Sequence, residues 1–226
     1  MKQSIPEIKG VSVMEASEGA QVKRTMYREW GFRIVDLVIG SVGLVVAMPV
    51  LTVIFLLIKW ENPRSAAIFK QLRVKKDGQP FYMYKFRSME VGAETQQAKL
   101  GKQNEMQGPM FKIANDPRIT KIGRFIRKTS IDEFPQLWNV IKGDMSIVGP
   151  RPPLPVEVAE YTQRDWKRLA IKPGCTGLWQ VSGRNKLGFR EMIRLDLLYI
   201  EQRSIRLNMM IIFKTFKELT IWGGGM

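Results

Sequence analysis

LVIGSVGLVVAMPVLTVIFLLI, residues 37–58, runs for 22 positions without a charged side chain. An α-helix rises ~1.5 Å per residue, so the run is long enough to cross a hydrocarbon core ~30 Å thick. Pro49 interrupts it. The 12 residues before the proline reach about 18 Å and the 9 after it about 14 Å, so neither half crosses alone. Proline removes one intrahelical hydrogen bond and crowds the preceding turn, which makes a bend at Met48-Pro49 an expected feature. Two membrane arrangements fit: a helix-break-helix hairpin that returns to its own side, and a spanning helix with a kink. A buried helix of a soluble protein is the third reading.

The flanks do not choose a direction. Lys23, Arg24, Arg28 and Arg33 precede the run, and Lys59, Arg64, Lys70, Arg73, Lys75 and Lys76 follow it. Positive charge prefers the cytoplasmic side, so a hairpin with both ends there satisfies both clusters. The 36 residues ahead of the run and the cations after it do not fit a cleavable signal peptide. Asp36, at the start of the run, is expected to pair with Arg33 on the same helical face.

Across 226 residues, 36 Lys and Arg outnumber 21 Asp and Glu, a net charge of +15 that favours polyanionic partners. Histidine is absent, which excludes a Ser-His-Asp or Cys-His triad, a His-ligated zinc and a histidine general base. The single Cys175 forms no internal disulfide or multi-Cys metal site. Chemistry must therefore run on carboxylates, Lys and Arg.

Residues 1–32 read as an N-terminal arm, mobile at its start, residues 33–60 as the membrane helix and residues 61–226 as the catalytic domain. Residues 68–89 spell a β-hairpin around the turn signal Asp77-Gly78. In its second strand a period of two puts Tyr82, Tyr84 and Phe86 on a packing face and Met83, Lys85 and Arg87 on the other. Residues 91–108 read as a polar loop or frayed helix. Helices are expected at 118–128, 156–171, 187–202 and 205–222. In the first of these Ile119, Ile122 and Ile126 share one face, while Lys121, Arg124 and Lys128 form a basic stripe opposite. That stripe reads either as a solvated face or as a contact for anionic headgroups.

The densest stretch is residues 129–140, Thr-Ser-Ile-Asp-Glu-Phe-Pro-Gln-Leu-Trp-Asn-Val. Ser130 and Glu133 fit a Ser-x-x-Glu capping box, and spacing alone favours that structural role. The alternative is a reactive carboxylate at Asp132 or Glu133, with surrounding Arg depressing its pKa and keeping it ionised. Lys85, Arg87, Arg127, Arg151 and Arg184 occupy strands and Gly- or Pro-rich turns, the placement used to hold phosphate oxygens.

The ordered set Lys85-Phe86-Arg87-Ser88-Met89, Arg127 through Asp132-Glu133, Lys142-Gly143-Asp144-Met145-Ser146-Ile147-Val148-Gly149-Pro150-Arg151-Pro152, Pro173-Gly174-Cys175-Thr176-Gly177 and Gln180-Val181-Ser182-Gly183-Arg184-Asn185 resembles the bacterial sugar transferases. These are the monotopic polyprenyl-phosphate phosphoglycosyl transferases. The resemblance extends from Arg33 to Trp222. It implies an α/β fold: a mostly helical cytosolic catalytic domain with a short β-hairpin, anchored by a re-entrant membrane hairpin kinked at Pro49. It also implies transfer of a sugar-1-phosphate from a UDP-sugar to undecaprenyl phosphate, releasing UMP and initiating lipid-linked glycan assembly at the cytoplasmic face of a bacterial membrane.

In that reading Asp132 is the nucleophile and a Mg²⁺ ligand, Glu133 supports it, and Lys85, Arg87, Arg127, Arg151 and Arg184 bind substrate phosphates. The implied partners are the UDP-sugar, the polyprenyl phosphate and membrane lipid; a homo-oligomer is compatible. The competing reading, a membrane-anchored basic module for nucleic acid or anionic lipid, lacks any nucleic-acid motif.

Overall fold

Helical periodicity decides how the apolar run is seated. A computed structural model describes residues 26–96, 100, 113, 115–183 and 187–221. Helix α1, Met26–Glu61, contains the whole run with Pro49 inside it. The expected break is therefore no interruption of the helix. Beside the proline, the Thr52 hydroxyl donates to the Met48 carbonyl (2.9 Å), a back-bond of the kind that bends helices slightly.

Phe32, Asp36, Gly40, Leu51, Ile54 and Ile58 are buried and recur at helical spacing, so they form one stripe along α1. Where α1 passes helix α4 (Gln136–Lys142) the stripe turns to glycine. A Cβ on Gly40 would lie 3.4 Å from the Val140 side chain, and one on Gly43 3.3 Å from Leu137. Farther along, Leu51, Ile54 and Ile58 pack with Ala67, Phe86 and Ile126. The opposite face leaves Val38, Val42, Val45, Val46, Val53 and Leu56 exposed, Val46 most of all at 73%.

Arg33 and Asp36 do not form the expected pair. The Arg33 guanidinium donates to the carbonyls of Val140 (2.6 Å) and Ile141 (2.7 Å), and Asp36 accepts from the Ser146 hydroxyl and the Ile147 N–H, each at 2.8 Å. The last carbonyls of a helix want a cation, and a buried carboxylate wants donors, so each finds a backbone partner in preference to the other.

Strands β1 (Ile68–Val74) and β2 (Pro80–Phe86) form the expected antiparallel hairpin, with Ile68 opposite Phe86 and Val74 opposite Pro80. Asp77 (φ 59°) and Gly78 (φ 74°) both take the left-handed region, as the Asp-Gly signal required. The faces of β2 depart from the expectation in part: Phe86 is buried as read, but Phe81 and Met83 on the other face are buried too, while Tyr82 is 57% exposed. The tyrosines keep their polar ends in water, and the Tyr84 ring lies near the ammonium groups of Lys70 and Lys142.

A second sheet, parallel, pairs β3 (Ser146–Val148) with β4 (Gly174–Thr176). It was not evident from either short sequence. The backbones cross so closely that a Cβ on Gly174 would stand 2.0 Å from the Gly149 nitrogen, which explains both glycines.

Helix α2 covers Ala93–Gln96, and residues 97–99 and 101–108 of the expected polar loop lie outside the described residues. Helix α3 is Lys121–Lys128. It starts later than expected because Thr120 caps it, while Arg118 is buried against Asp116 (2.5 Å). Its faces are as read: Ile119 and Ile126 are buried and Lys121, Arg124 and Lys128 exposed.

The expected helix over 156–171 is instead α5 (Pro155–Ala159), α6 (Gln163–Trp166) and a 3-10 turn (Lys167–Ala170). A Thr162–Asp165 capping box starts a new helix in mid-segment. Helices α7 (Phe189–Gln202) and α8 (Ile205–Ile221) match their expectations to within two residues at each end. Among the described residues the protein is thus mostly helical with two short sheets. Residues 1–25, including most of the proposed arm with Lys23 and Arg24, lie outside the described residues, as does Trp222.

The interior holds an ion pair, Arg168 with Asp196 at 2.6 Å, each side chain 1% exposed. Removing one partner of a buried pair strands the other charge. Arg168→Met is therefore expected to destabilise the protein by about 3–5 kcal/mol. Arg168→Met combined with Asp196→Leu is expected to recover most of that loss, measured by denaturant unfolding of both variants.

Candidate active site

The site is built where three segments converge. Helix α3 lies against the end of the hairpin so tightly that a Cβ on Gly123 would meet the Ser88 carbonyl at 2.0 Å. This closeness lets Arg127, in the last turn of α3, donate from Nε to the Ser88 hydroxyl at 2.8 Å. Ser130 then takes the left-handed conformation (φ 55°) and reverses the chain into a 3-10 turn, Ile131–Glu133. Phe134 and Pro135 lead directly into α4.

The capping box at Ser130 does not form. Ser130 makes no side-chain cap bond, because its left-handed backbone belongs to a turn and not to an extended cap residue. Glu133 points to the hairpin instead, where Oε1 accepts from Lys85 Nζ at 2.7 Å. Asp132 is buried at 7% exposure. The structure thus brings together Asp132, Glu133, Lys85 and Arg127.

Asp132 is not depressed in pKa as the sequence suggested. Burial pushes its carboxyl up to about 6, and the Glu133 charge adds to the rise, against the opposing pull of Lys85 and Arg127. Arg127 is itself shifted down by burial, while Asp132 and Asp116 pull it back. At neutral pH Asp132 remains ionised, desolvated and flanked by cations, which suits a nucleophile.

Arg87 and Arg151 are engaged with other partners. Arg87 donates from Nε to the Ala66 carbonyl (2.7 Å) and its guanidinium stands over the Phe69 ring. Arg151 donates to Glu157 at 3.0 Å. Glu157 is 1% exposed, and although burial would raise its pKa, Arg151 and Arg73 outweigh that and hold it low. Arg151 thus serves first to neutralise a buried carboxylate. Arg184 lies outside the described residues.

Sequence reasoning missed Ser88, Glu157 and Asn139. Asn139 is fully buried and hydrogen-bonded to β2. The only signal was its polarity on the buried side of a short apolar helix. Cys175 sits close enough to Lys85 and Glu133 to feel their charges, yet burial pushes its thiol far above the usual range, so it is no nucleophile.

Among the described residues no cluster of three or more His, Cys, Asp or Glu forms a metal cage. A buried Asp beside a partly exposed Glu nevertheless suits Mg²⁺, which binds one or two carboxylates and completes its shell with water and substrate phosphates.

Asp132 and Glu133, bracketed by Lys85 and Arg127 beside a long apolar helix, have the composition of a site for anionic groups. A model of the family described as "Bacterial sugar transferase" matches residues 27–221, and the chain belongs to that family. It is 47% identical over 193 residues to a protein named galactosyl transferase CpsE from Streptococcus agalactiae, covering 85% of this chain and 42% of that one. It is 41% identical over 189 residues to an undecaprenyl-phosphate galactose phosphotransferase from Salmonella typhimurium, covering 82% and 39%. The exopolysaccharide production protein ExoY of Rhizobium meliloti is 35% identical over 194 residues, covering 84% and 85%. The chain therefore spans about two-fifths of the length of the first two relatives and most of the third.

The raised carboxyl of Asp132 has a stability signature. Between its ordinary pKa of 3.8 and about 6 the folded protein holds a proton that the unfolded chain has lost, so stability falls as pH rises through this window. Asp132→Asn removes that penalty. The variant is expected to melt above the parent protein at pH 7–8, with the difference closing as pH falls to about 4, read from thermal unfolding across pH.

Proposed function

We propose that the protein transfers a sugar-1-phosphate from a UDP-sugar to a polyprenyl phosphate, undecaprenyl phosphate in bacteria, and so starts a lipid-linked glycan. The observation that carries this is Asp132: a buried carboxylate within the fields of Lys85 and Arg127, next to Glu133 and beside an apolar helix. Relatives named for galactose transfer to undecaprenyl phosphate or to a lipid carrier support the same reading.

In the first step an Asp132 carboxylate oxygen attacks the sugar-bearing phosphorus. The bond from that phosphorus to the oxygen bridging to the nucleotide breaks, and UMP leaves with the electron pair. In the second step a phosphate oxygen of the polyprenyl phosphate attacks the same phosphorus and frees Asp132. Lys85 holds Glu133 beside the nucleophile, and Lys85 and Arg127 offset negative charge on the transferring phosphoryl group. Arg87, Arg151 and Arg184 remain candidates for more distant phosphate contacts. Mg²⁺, held by Asp132 with Glu133 in support, would supply further charge neutralisation when bound.

For the membrane we propose the re-entrant arrangement. Both halves of α1 are seated on the same body, through Gly40 and Gly43 on one side of Pro49 and through Leu51, Ile54 and Ile58 on the other. A straight spanning helix would draw that body into the hydrocarbon. Val45 and Val46, next to Pro49, are the most exposed part of the run and would lie deepest. Trp30 and Trp60 near its two ends suit the headgroup layer, as do exposed Phe213 and Phe216 of α8. The Lys121, Arg124 and Lys128 stripe, with exposed Phe125 among it, would face anionic headgroups at the inner face of the cytoplasmic membrane.

Membranes carrying the full chain, supplied with undecaprenyl phosphate and a panel of UDP-galactose, UDP-glucose and UDP-N-acetylgalactosamine, are expected to release UMP with at least one donor. Asp132→Asn is expected to lower that rate by about 10⁴-fold or more, and full activity in the variant would remove Asp132 from its role. Arg28→Cys and Arg64→Cys are expected to be labelled from the same side of the membrane; labelling from opposite sides would overturn the re-entrant arrangement.

A further inference from the structure

Strand β2 has two edges. One pairs with β1 along its length. On the other, the Asn139 side chain accepts from the Tyr84 N–H (Oδ1, 3.0 Å) and donates to the Tyr82 carbonyl (Nδ2, 2.8 Å). The carboxamide thus does what a neighbouring strand would do at positions two residues apart. Asn139 is completely buried, so water does not compete for these bonds.

The residue after Tyr84 is Lys85, whose ammonium group meets Glu133 at 2.7 Å. Glu133 and Asn139 belong to one unbroken series of turns: Phe134 N–H donates to Ile131, Leu137 to Phe134 and Trp138 to Pro135, and α4 follows. At its far side the Asn139 carbonyl accepts from the N–H groups of Asp144 and Met145, at 3.0 and 3.2 Å, so this residue is held from both directions. Lys85 therefore reaches the carboxylates from a strand whose free edge is fastened to the helix that the carboxylates precede.

We infer that Asn139 is a positioning residue for the reaction, its amide setting where Lys85 stands relative to Glu133 and Asp132. The inference rests on the reading of those three residues as the reacting centre. The residue type follows from the geometry. One side chain must offer an acceptor and a donor side by side at fixed reach: Leu offers neither, ionised Asp lacks the donor, and Gln carries the same groups one methylene too far. An amide that only stabilised the fold would show the same bonds but would act independently of Lys85.

A double-mutant cycle on the full chain in membranes separates these cases, with UMP release from the fastest UDP-sugar of the panel as the readout and thermal unfolding as the control. Lys85→Met and Asn139→Leu are each expected to lower the turnover rate, Asn139→Leu by about 10²-fold through misplacement. In the Lys85→Met background, Asn139→Leu is expected to cost less than about threefold more, since the group it positions is gone. Two effects that multiply in full would make Asn139 purely structural and overturn the inference, as would full activity in Asn139→Leu. Full activity in Lys85→Met would instead overturn the reading of the centre. If Asn139→Leu does not fold, Asn139→Asp, which keeps the acceptor for Tyr84 and loses the donor to Tyr82, takes its place in the cycle with the same expectations.

Discussion

A helix that is apolar on nearly every side must meet a charged protein body somewhere, and here the meeting is made by Arg33 and Asp36. Arg33 closes the end of α4 through two carbonyls, and Asp36 receives the Ser146 hydroxyl and the Ile147 amide at the start of β3. These polar bonds fix how α1 rotates about its axis. Once the rotation is fixed, the stripe through Gly40, Leu51, Ile54 and Ile58 faces the body and the valines face outward. The same helix α4 follows directly on Asp132 and Glu133 at its other end, so the apolar helix and the candidate site share a strut of seven residues.

The net charge of +15 does not act as one field. Of the 36 Lys and Arg, part is paired inside and adds nothing to the surplus: Arg168 on Asp196, Arg151 on Glu157 and Arg118 on Asp116 neutralise carboxylates that could not otherwise be buried. Part is structural at the hairpin, where Arg73 donates to the Pro152 carbonyl and Lys75 to Asp144. Lys85 and Arg127 remain beside the carboxylate pair, and the exposed stripe of α3 lies on the outside. A motif rich in arginine is thus a poor guide to phosphate binding until its carboxylate partners are located.

The hairpin, α7, α8 and the helical character of the apolar run were legible because each rests on local rules: a turn dipeptide that tolerates positive φ, and periodic apolar residues. The parallel pair β3–β4 was not, since each strand is three residues long and meaning comes only from the distant partner. That Phe81 and Met83 of β2 pack while Tyr82 does not was missed for a related reason. Both faces of Phe81 to Phe86 contain large apolar groups, and only the body packed against Phe81 and Met83 distinguishes them. At the site, Asp132 and Glu133 stood out by their chemistry and by the company of family motifs. Their local geometry did not: the Ser-x-x-Glu spacing spelled a cap that the left-handed Ser130 makes impossible.

The burial of Asp132 explains why the site needs more than one cation. Desolvation alone drives the carboxyl towards its neutral form, and the neighbouring Glu133 charge drives it further. In the proposed reaction a neutral acid could not attack phosphorus. Lys85 and Arg127 oppose both effects, but each must itself be held against its own tendencies: Arg127 by the Ser88 hydroxyl, and Lys85 by the Glu133 carboxylate at one end and by the strand that Asn139 fastens at the other. A nucleophile left weakly solvated loses less hydration when it reacts, provided that its charge survives. The bonds made by Ser88 and Asn139 serve that condition by holding Arg127 and the strand that carries Lys85.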